Sequence, residues 1–127
     1  MKKTEDCPCG SGKAFLACCR PYLAGMAAPD AARLMRSRYT AYARGDEAYL
    51  LSTWHPATRP DNLALDRAPR AKWIGLEVRR HEQADEYHAV VEFLARYRVG
   101  GHAQRLHEVS RFVKEEGRWY YLEGDVD

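Results

Sequence analysis

The chain has four cysteines, all within thirteen residues: Cys7, Cys9, Cys18 and Cys19 in the stretch CPCGSGKAFLACC. This C-x-C-x8-C-C arrangement constrains the N-terminus more than any other feature. Cys7 and Cys9 are too close to bridge comfortably, and a vicinal Cys18–Cys19 disulfide distorts its own peptide. Cross-pairing one of Cys7/Cys9 with one of Cys18/Cys19 is geometrically open but needs an oxidising compartment. Reduced thiols gathered without a metal oxidise readily and add nothing to packing. A metal ion accounts for the cluster. Four thiolates in tetrahedral array form a closed structural zinc site, and one zinc per chain folds a segment too short to build a core. Pro8 stiffens the first pair, and Gly10-Ser11-Gly12 permits a sharp turn that aims N–H groups at the sulfurs. Ala14-Phe15-Leu16-Ala17 reads as a helical turn delivering Cys18 and Cys19, with Phe15 or Leu16 as its packing contact.

Charge agrees with this reading. Ionising four thiols around one zinc takes the formal charge of +2 to zero. The local centre stays negative, and Lys2, Lys3, Lys13 and Arg20 lie near enough in sequence to offset it. A site closed by four cysteines leaves no position for a reactive water, so it points to structure rather than catalysis. With 46% hydrophobic and 30% charged residues, the 127-residue chain suits one globular domain plus a small appendage. The net charge is too small for a general nucleic-acid footprint, so no specific nucleic-acid partner is expected. No apolar run spans a membrane, and no apolar signal segment follows the basic start, so the expected location is cytoplasmic, with no membrane partner.

C-P-C-G-S-G-K followed by the C-C pair resembles the SEC-C motif, a zinc-binding element named for the C-terminus of the protein-translocation ATPase. The resemblance implies Cys7, Cys9, Cys18 and Cys19 as the metal ligands and residues 1–22 as the motif. In the translocation ATPase the similar motif engages a chaperone and the ribosome. By resemblance, a protein partner, with chaperone or ribosome and translocation components as candidates, would meet the Lys13/Arg20 surface.

Beyond a Pro/Gly/Ala-rich connector, residues 30–44 carry a helical pattern, with Asp30 as N-cap and Gly45 just past the end. Asp46 caps a second, shorter helix through Tyr49, Leu50 and Trp54, and His55-Pro56 stops it. Residues 56–70 read as loop. The period then changes to two, and 72–80, 86–99, 103–115 and 118–125 read as strands. Tyr87, Ala89, Val91, Phe93, Ala95, Tyr97 and Val99 form one apolar face; His88, Glu92, Arg96 and Arg98 make the other mostly polar. The fold class is therefore α+β, a half-buried antiparallel sheet with helices on one side.

"RSRYTAYARGD", "TWHP", "EFLARY", "LHEVSRF" and "GRWYYLEGD" resemble, in that order, the YchJ-like family of bacterial proteins. That family joins a SEC-C motif to a domain similar to nuclear transport factor 2, here residues 23–127. The resemblance implies a cystatin-like cone, a curved antiparallel sheet wrapped around helices. It implies no activity: similar cones serve ketosteroid isomerase and scytalone dehydratase as catalytic pockets and other proteins as binding modules.

Gly100-Gly101 as a two-residue hairpin turn pairs Val99 with His102, Phe93 with Glu108 and Val91 with Ser110. The inner face then continues through Leu106, Glu108, Ser110 and Phe112. Burial opposes ionisation of a carboxylate there unless a partner satisfies it, and Arg38, Tyr39 or Tyr42 could supply one. Two readings stay open. Glu108 is an acid/base in a pocket with Arg38, Tyr39, Tyr42, Phe93 and Ser110, as in an isomerase- or dehydratase-like enzyme or a small-molecule carrier. Or it is half of a buried pair with an arginine that holds helix to sheet. His107 and Arg111 fall on the opposite face, His55 suits a turn cap, and Trp54, Trp73, Trp119, Tyr120 and Tyr121 suit the core. The leading expectation is a non-enzymatic zinc-binding adaptor, its knuckle a tethered docking head.

Overall fold

The period-two segments pair as a four-stranded antiparallel sheet in the order β1-β2-β3-β4, a simple meander. A computed structural model describes residues 5–65 and 70–126. Its strands are β1 (Lys72–Gln83), β2 (His88–Val99), β3 (His102–Glu115) and β4 (Arg118–Val126). The helices are α1 (Arg20–Leu23), α2 (Ala31–Arg44) and α3 (Glu47–Ser52). Val99 pairs with His102, and Phe93 faces Glu108 as the glycine turn requires. Both turn glycines have positive φ, the conformation a tight primed turn needs. Bulges at Trp73/Gly75 and Val78/Arg80 in β1, and at Arg111/Phe112 between β3 and β4, bend the sheet around the helices.

Caps set the helix limits. The Asp30 carboxylate accepts the Arg33 N–H at 2.8 Å, and Gly45 ends α2 in the left-handed conformation. Asp46 caps α3 by accepting the Tyr49 N–H. That helix ends at Ser52, earlier than its apolar pattern suggests. The Thr53 carbonyl accepts from Tyr121 N, and His55 N donates back to Tyr121 O, so residues 53–55 pair with β4 instead of completing a turn. Tyr87 is another departure: it is 54% exposed in the turn before β2, where Asp85 caps its N–H. Leu94 also departs from the alternation. It is 3% exposed on the polar face, lying among Arg79, Arg105 and His107, whose long side chains shield it.

One core runs through the chain. Ala89, Val91, Phe93, Ala95 and Phe112 from the sheet meet Leu34, Met35 and Tyr39 of α2, and Cys7, Cys9, Phe15 and Cys19 belong to the same cluster. The knuckle is thus built into the domain's core, not tethered to it as a separate head. The packing contact of its 3-10 turn (Phe15–Ala17) is Phe15, 6% exposed, while Leu16 is 63% exposed. Burying a phenylalanine contributes about 2 kcal/mol to that docking. Among the described residues, no helix is long and apolar enough to cross a membrane.

Candidate metal centre and the adjoining cavity

Residues 5–15 form a small hairpin. Cys7 N donates to Lys13 O at 2.9 Å, Phe15 N to Glu5 O at 2.9 Å, and Asp6 bridges Ala14. Gly10 and Gly12 turn the chain with positive φ, and a Cβ on Gly10 would sit 3.4 Å from the Leu76 carbonyl of β1. The 3-10 turn then brings Cys18 and Cys19 back to the hairpin.

The four sulfurs lie within 4.8 Å of one another, with Cys9–Cys18 at 3.6 Å and Cys18–Cys19 at 4.0 Å. Sulfurs about 2.3 Å from a shared ion stand about 3.8 Å apart, so the spacing fits a thiolate-held metal. None of the four is joined to another by a disulfide. The four cysteines are the single cluster among the described residues with metal-ligating geometry.

Helix α2 supports the sulfurs through one stripe at i, i+4 and i+8. Arg36 Nη1 donates to the Cys9 carbonyl at 3.0 Å and to its sulfur at 3.9 Å. Thr40 Oγ1 donates to Cys19 Sγ at 3.3 Å and lies 3.7 Å from Cys7 Sγ. The Arg44 guanidinium covers the Phe15 ring at 4.5 Å. From the hairpin itself, Ser11 Oγ reaches Cys18 Sγ at 3.1 Å. The cation touching a sulfur is Arg36. Lys13 and Arg33 lie beside the cluster, while Lys2 and Lys3 fall outside the described residues.

Without a metal, these thiols compete for protons. A hydrogen bond from Cys19, helped by the Ser11 hydroxyl and N–H, pulls Cys9 down to about 4 against the cost of burial. Its bond to Cys9, and then burial, pushes Cys19 far up, and burial raises Cys18. A bound cation would let Cys18 and Cys19 ionise beside Cys9. Thr40→Val removes the hydroxyl at constant shape, and metal affinity is expected to fall about tenfold to a hundredfold. Competition against a chelating dye measures it, and unchanged affinity would mean that the hydroxyl lends the thiolates no support.

On the opposite side of α2, toward the sheet, lies a cavity of about 230 Å³. Arg38, Tyr39, Tyr42, Phe93 and Glu108 line it, together with Met35, Trp54, Trp73, Ala95, Leu106 and Tyr121. Ser110 is fully buried behind the wall and donates to Glu108 Oε2, which also accepts from Tyr121 OH at 3.1 Å. Arg38 is 2% exposed and makes no direct ion pair with Glu108. Its Nη1 donates to the Leu50 carbonyl at 2.8 Å and to Thr53 Oγ1 at 2.6 Å, and its guanidinium lies between the rings of Trp54 and Tyr121 at 5.1 and 4.8 Å. Burial pulls Arg38 down from its usual range, opposed by Tyr42, Tyr121, Tyr49 and Glu108. Burial raises Tyr42, and burial followed by the Glu108 charge raises Tyr121, so both phenols stay protonated.

Trp54, Trp73 and Tyr121 wall this cavity, and Trp73 and Tyr121 also pack against the core as expected. Tyr121 comes inward opposite Phe112 in the register set by the Glu116-Gly117 turn, and the β3/β4 bulge beyond it brings Gly124 opposite Ser110. A Cβ on Gly124 would fall 2.3 Å from Glu108 Oε2, so that glycine makes room for the carboxylate. Gly124→Ala is expected to push Glu108 off Ser110 and Tyr121 and to cost about 1–3 kcal/mol. Denaturant unfolding checks this; wild-type stability would show that the carboxylate is not pinned there. The other histidines fit surface roles. His55 Nδ1 accepts the Ala57 N–H as a turn cap while its Nε2 meets Glu115 at 2.7 Å, and His107 pairs with Glu92 at 2.7 Å on the outer face.

A curved meander closed over a helix, with a four-cysteine cluster clamped to that helix, defines a cone domain carrying a thiol-rich knuckle. Residues 30–124 match the family described as YchJ, middle NTF2-like domain, and residues 4–21 match the SEC-C motif. The chain belongs to the YchJ-type family. A UPF0225 protein of Chromobacterium violaceum is 59% identical over 125 residues, covering 94% of this chain and 92% of that one. A SEC-C motif containing protein from Rhodopseudomonas palustris, solved in solution, superposes with a TM-score of 0.86 at 40% identity, covering 95% of this chain and 98% of that one. The crystal structure of a SEC-C motif containing protein from Psychrobacter arcticus gives 0.80 at 32% identity, covering 92% and 80%.

Proposed function

We propose that Cys7, Cys9, Cys18 and Cys19 hold one structural zinc ion per chain and that the protein acts as a cytoplasmic binding module, not a catalyst. The observation carrying this reading is the set of four sulfurs within 4.8 Å of one another, supported by Arg36, Thr40 and Ser11. An all-thiolate set favours zinc and leaves it no open position, so the metal supplies a cross-link and no reaction. Elemental analysis of protein purified without added metal should give about one zinc per chain. Metal-free protein with four titratable thiols would refute the assignment.

The surface beside the knuckle carries Lys13, Arg20 and Arg33, all exposed. Such a patch suits an acidic protein surface, and the likeness to the translocation-ATPase motif supports a protein partner. Because the cysteines belong to the core, the test reverses surface charge and spares the thiols. A Lys13→Glu/Arg20→Glu/Arg33→Glu variant should lose partners that the wild type captures, and identical partner sets would sink the adaptor role.

A further inference from the structure

We infer that the cone cavity is a binding site for a small planar molecule with an apolar body and one neutral polar group that both donates and accepts hydrogen bonds, as a primary carboxamide does. This goes beyond the metal and partner readings and stands on the other side of α2. Its walls at Tyr39, Trp73, Phe93 and Leu106 are flat or aliphatic, which suits an apolar body. A volume of 230 Å³ equals about eight water molecules of liquid, enough for one substituted ring.

The polar groups are contiguous: Arg38 stacks on Trp54 and Tyr121, and Tyr121 donates to Glu108. They are also incompletely used. Both donors to Glu108 go to Oε2, so Oε1 has no hydrogen-bond partner among the described residues. Arg38 donates through Nη1 alone, leaving N–H groups of its five-donor fork unassigned. The Trp54 indole N–H is buried without an acceptor. An unused acceptor and unused donors lining one cavity, the Trp54 N–H among them buried, suit a guest that completes both.

Charge selects the kind of guest. An anion entering beside Arg38 also meets Glu108, and a cation beside Glu108 also meets Arg38, so a neutral donor–acceptor group loses least. A carbonyl oxygen takes the spare donors while its N–H₂ reaches the free Glu108 oxygen.

The test uses the full-length, metal-loaded protein labelled with nitrogen-15, and three probes of similar size: benzamide, benzoate and toluene. The Trp54 indole resonance, assigned with Trp54→Phe, should shift saturably with benzamide in the millimolar range expected of a fragment. Benzoate and toluene should bind roughly tenfold more weakly or worse, because each leaves cavity groups unpaired. Glu108→Gln removes the repulsion of benzoate and should invert the benzamide–benzoate order. Leu106→Trp fills the cavity and should abolish all three responses in protein whose thermal transition is intact. No saturable shift, equal binding of the three probes in the wild type, or an undiminished response in folded Leu106→Trp would each overturn the proposal. The wild-type order decides the matter if Glu108→Gln does not fold.

Discussion

Stripping the metal with a strong chelator is expected to lower the thermal midpoint by about 10 °C or more and to open the amides of α2 to hydrogen exchange. The size follows from linkage. A metal present at about a thousandfold over its dissociation constant stabilises the state that binds it by about 4 kcal/mol, and in a domain of this size each kcal/mol moves the midpoint by several degrees. The reach follows from packing. Cys9 and Cys19 are fully buried, Cys7 nearly so, and all three share a core with Leu34, Met35 and Tyr39. Arg36, Thr40 and Arg44 attach the knuckle to α2 along most of that helix. Losing the ion therefore loosens the surface on which the cone itself packs. Acid should act in the same direction. Cys18 and Cys19 are raised, so the metal-free protein keeps those protons at neutral pH and the metal must displace them. Each proton the metal displaces makes affinity rise about tenfold per pH unit, so the stability supplied by the metal is present at higher pH and lost as pH falls. Calorimetry with and without chelator across pH measures both effects; a midpoint indifferent to chelation would refute a metal cross-link in the core.

What was legible in the sequence, and what was not, divides along the range of the interactions. The ligand spacing is local, and the Gly100-Gly101 turn transmits register along both strands it joins, so Phe93 opposite Glu108 follows from alternation alone. The docking of the knuckle was not legible. Arg36, Thr40 and Arg44 lie on one helix stripe, and no periodicity says that its neighbour is a cysteine hairpin far upstream. The ends of α3 and β4 were hidden for a related reason. A single bulge residue in β4 reverses the side-chain alternation beyond it, so that Gly124 instead of Glu123 lies opposite Ser110, and Thr53 gives its carbonyl to β4 instead of to a further helical turn. Local pattern places elements well; it is silent where the backbone leaves its period to meet a partner far along the chain.

Replacing Arg38 with methionine is expected to cost about 3–5 kcal/mol, the largest effect of any substitution in the cone, because it leaves the Glu108 charge in a mostly apolar cavity without its nearby cation. Part of that cost is local, since the Leu50 carbonyl and Thr53 Oγ1 lose their donor and the Trp54 and Tyr121 rings lose the plane between them. A double-mutant cycle separates the two contributions. Glu108→Gln alone weakens the hydrogen bonds from Ser110 and Tyr121 and leaves Arg38 without a counter-charge, at about 1–3 kcal/mol. If Arg38 and Glu108 act on each other across Tyr121, the double variant is more stable than the summed singles predict, by about 1 kcal/mol or more. If Arg38 serves only to tie α2 to α3, the effects add to within about 0.5 kcal/mol, and the electrostatic link falls. The geometry favours coupling. The two charges share one cavity and one phenol, and neither has another formal counter-ion among the described residues, so each sets the cost of the other's burial.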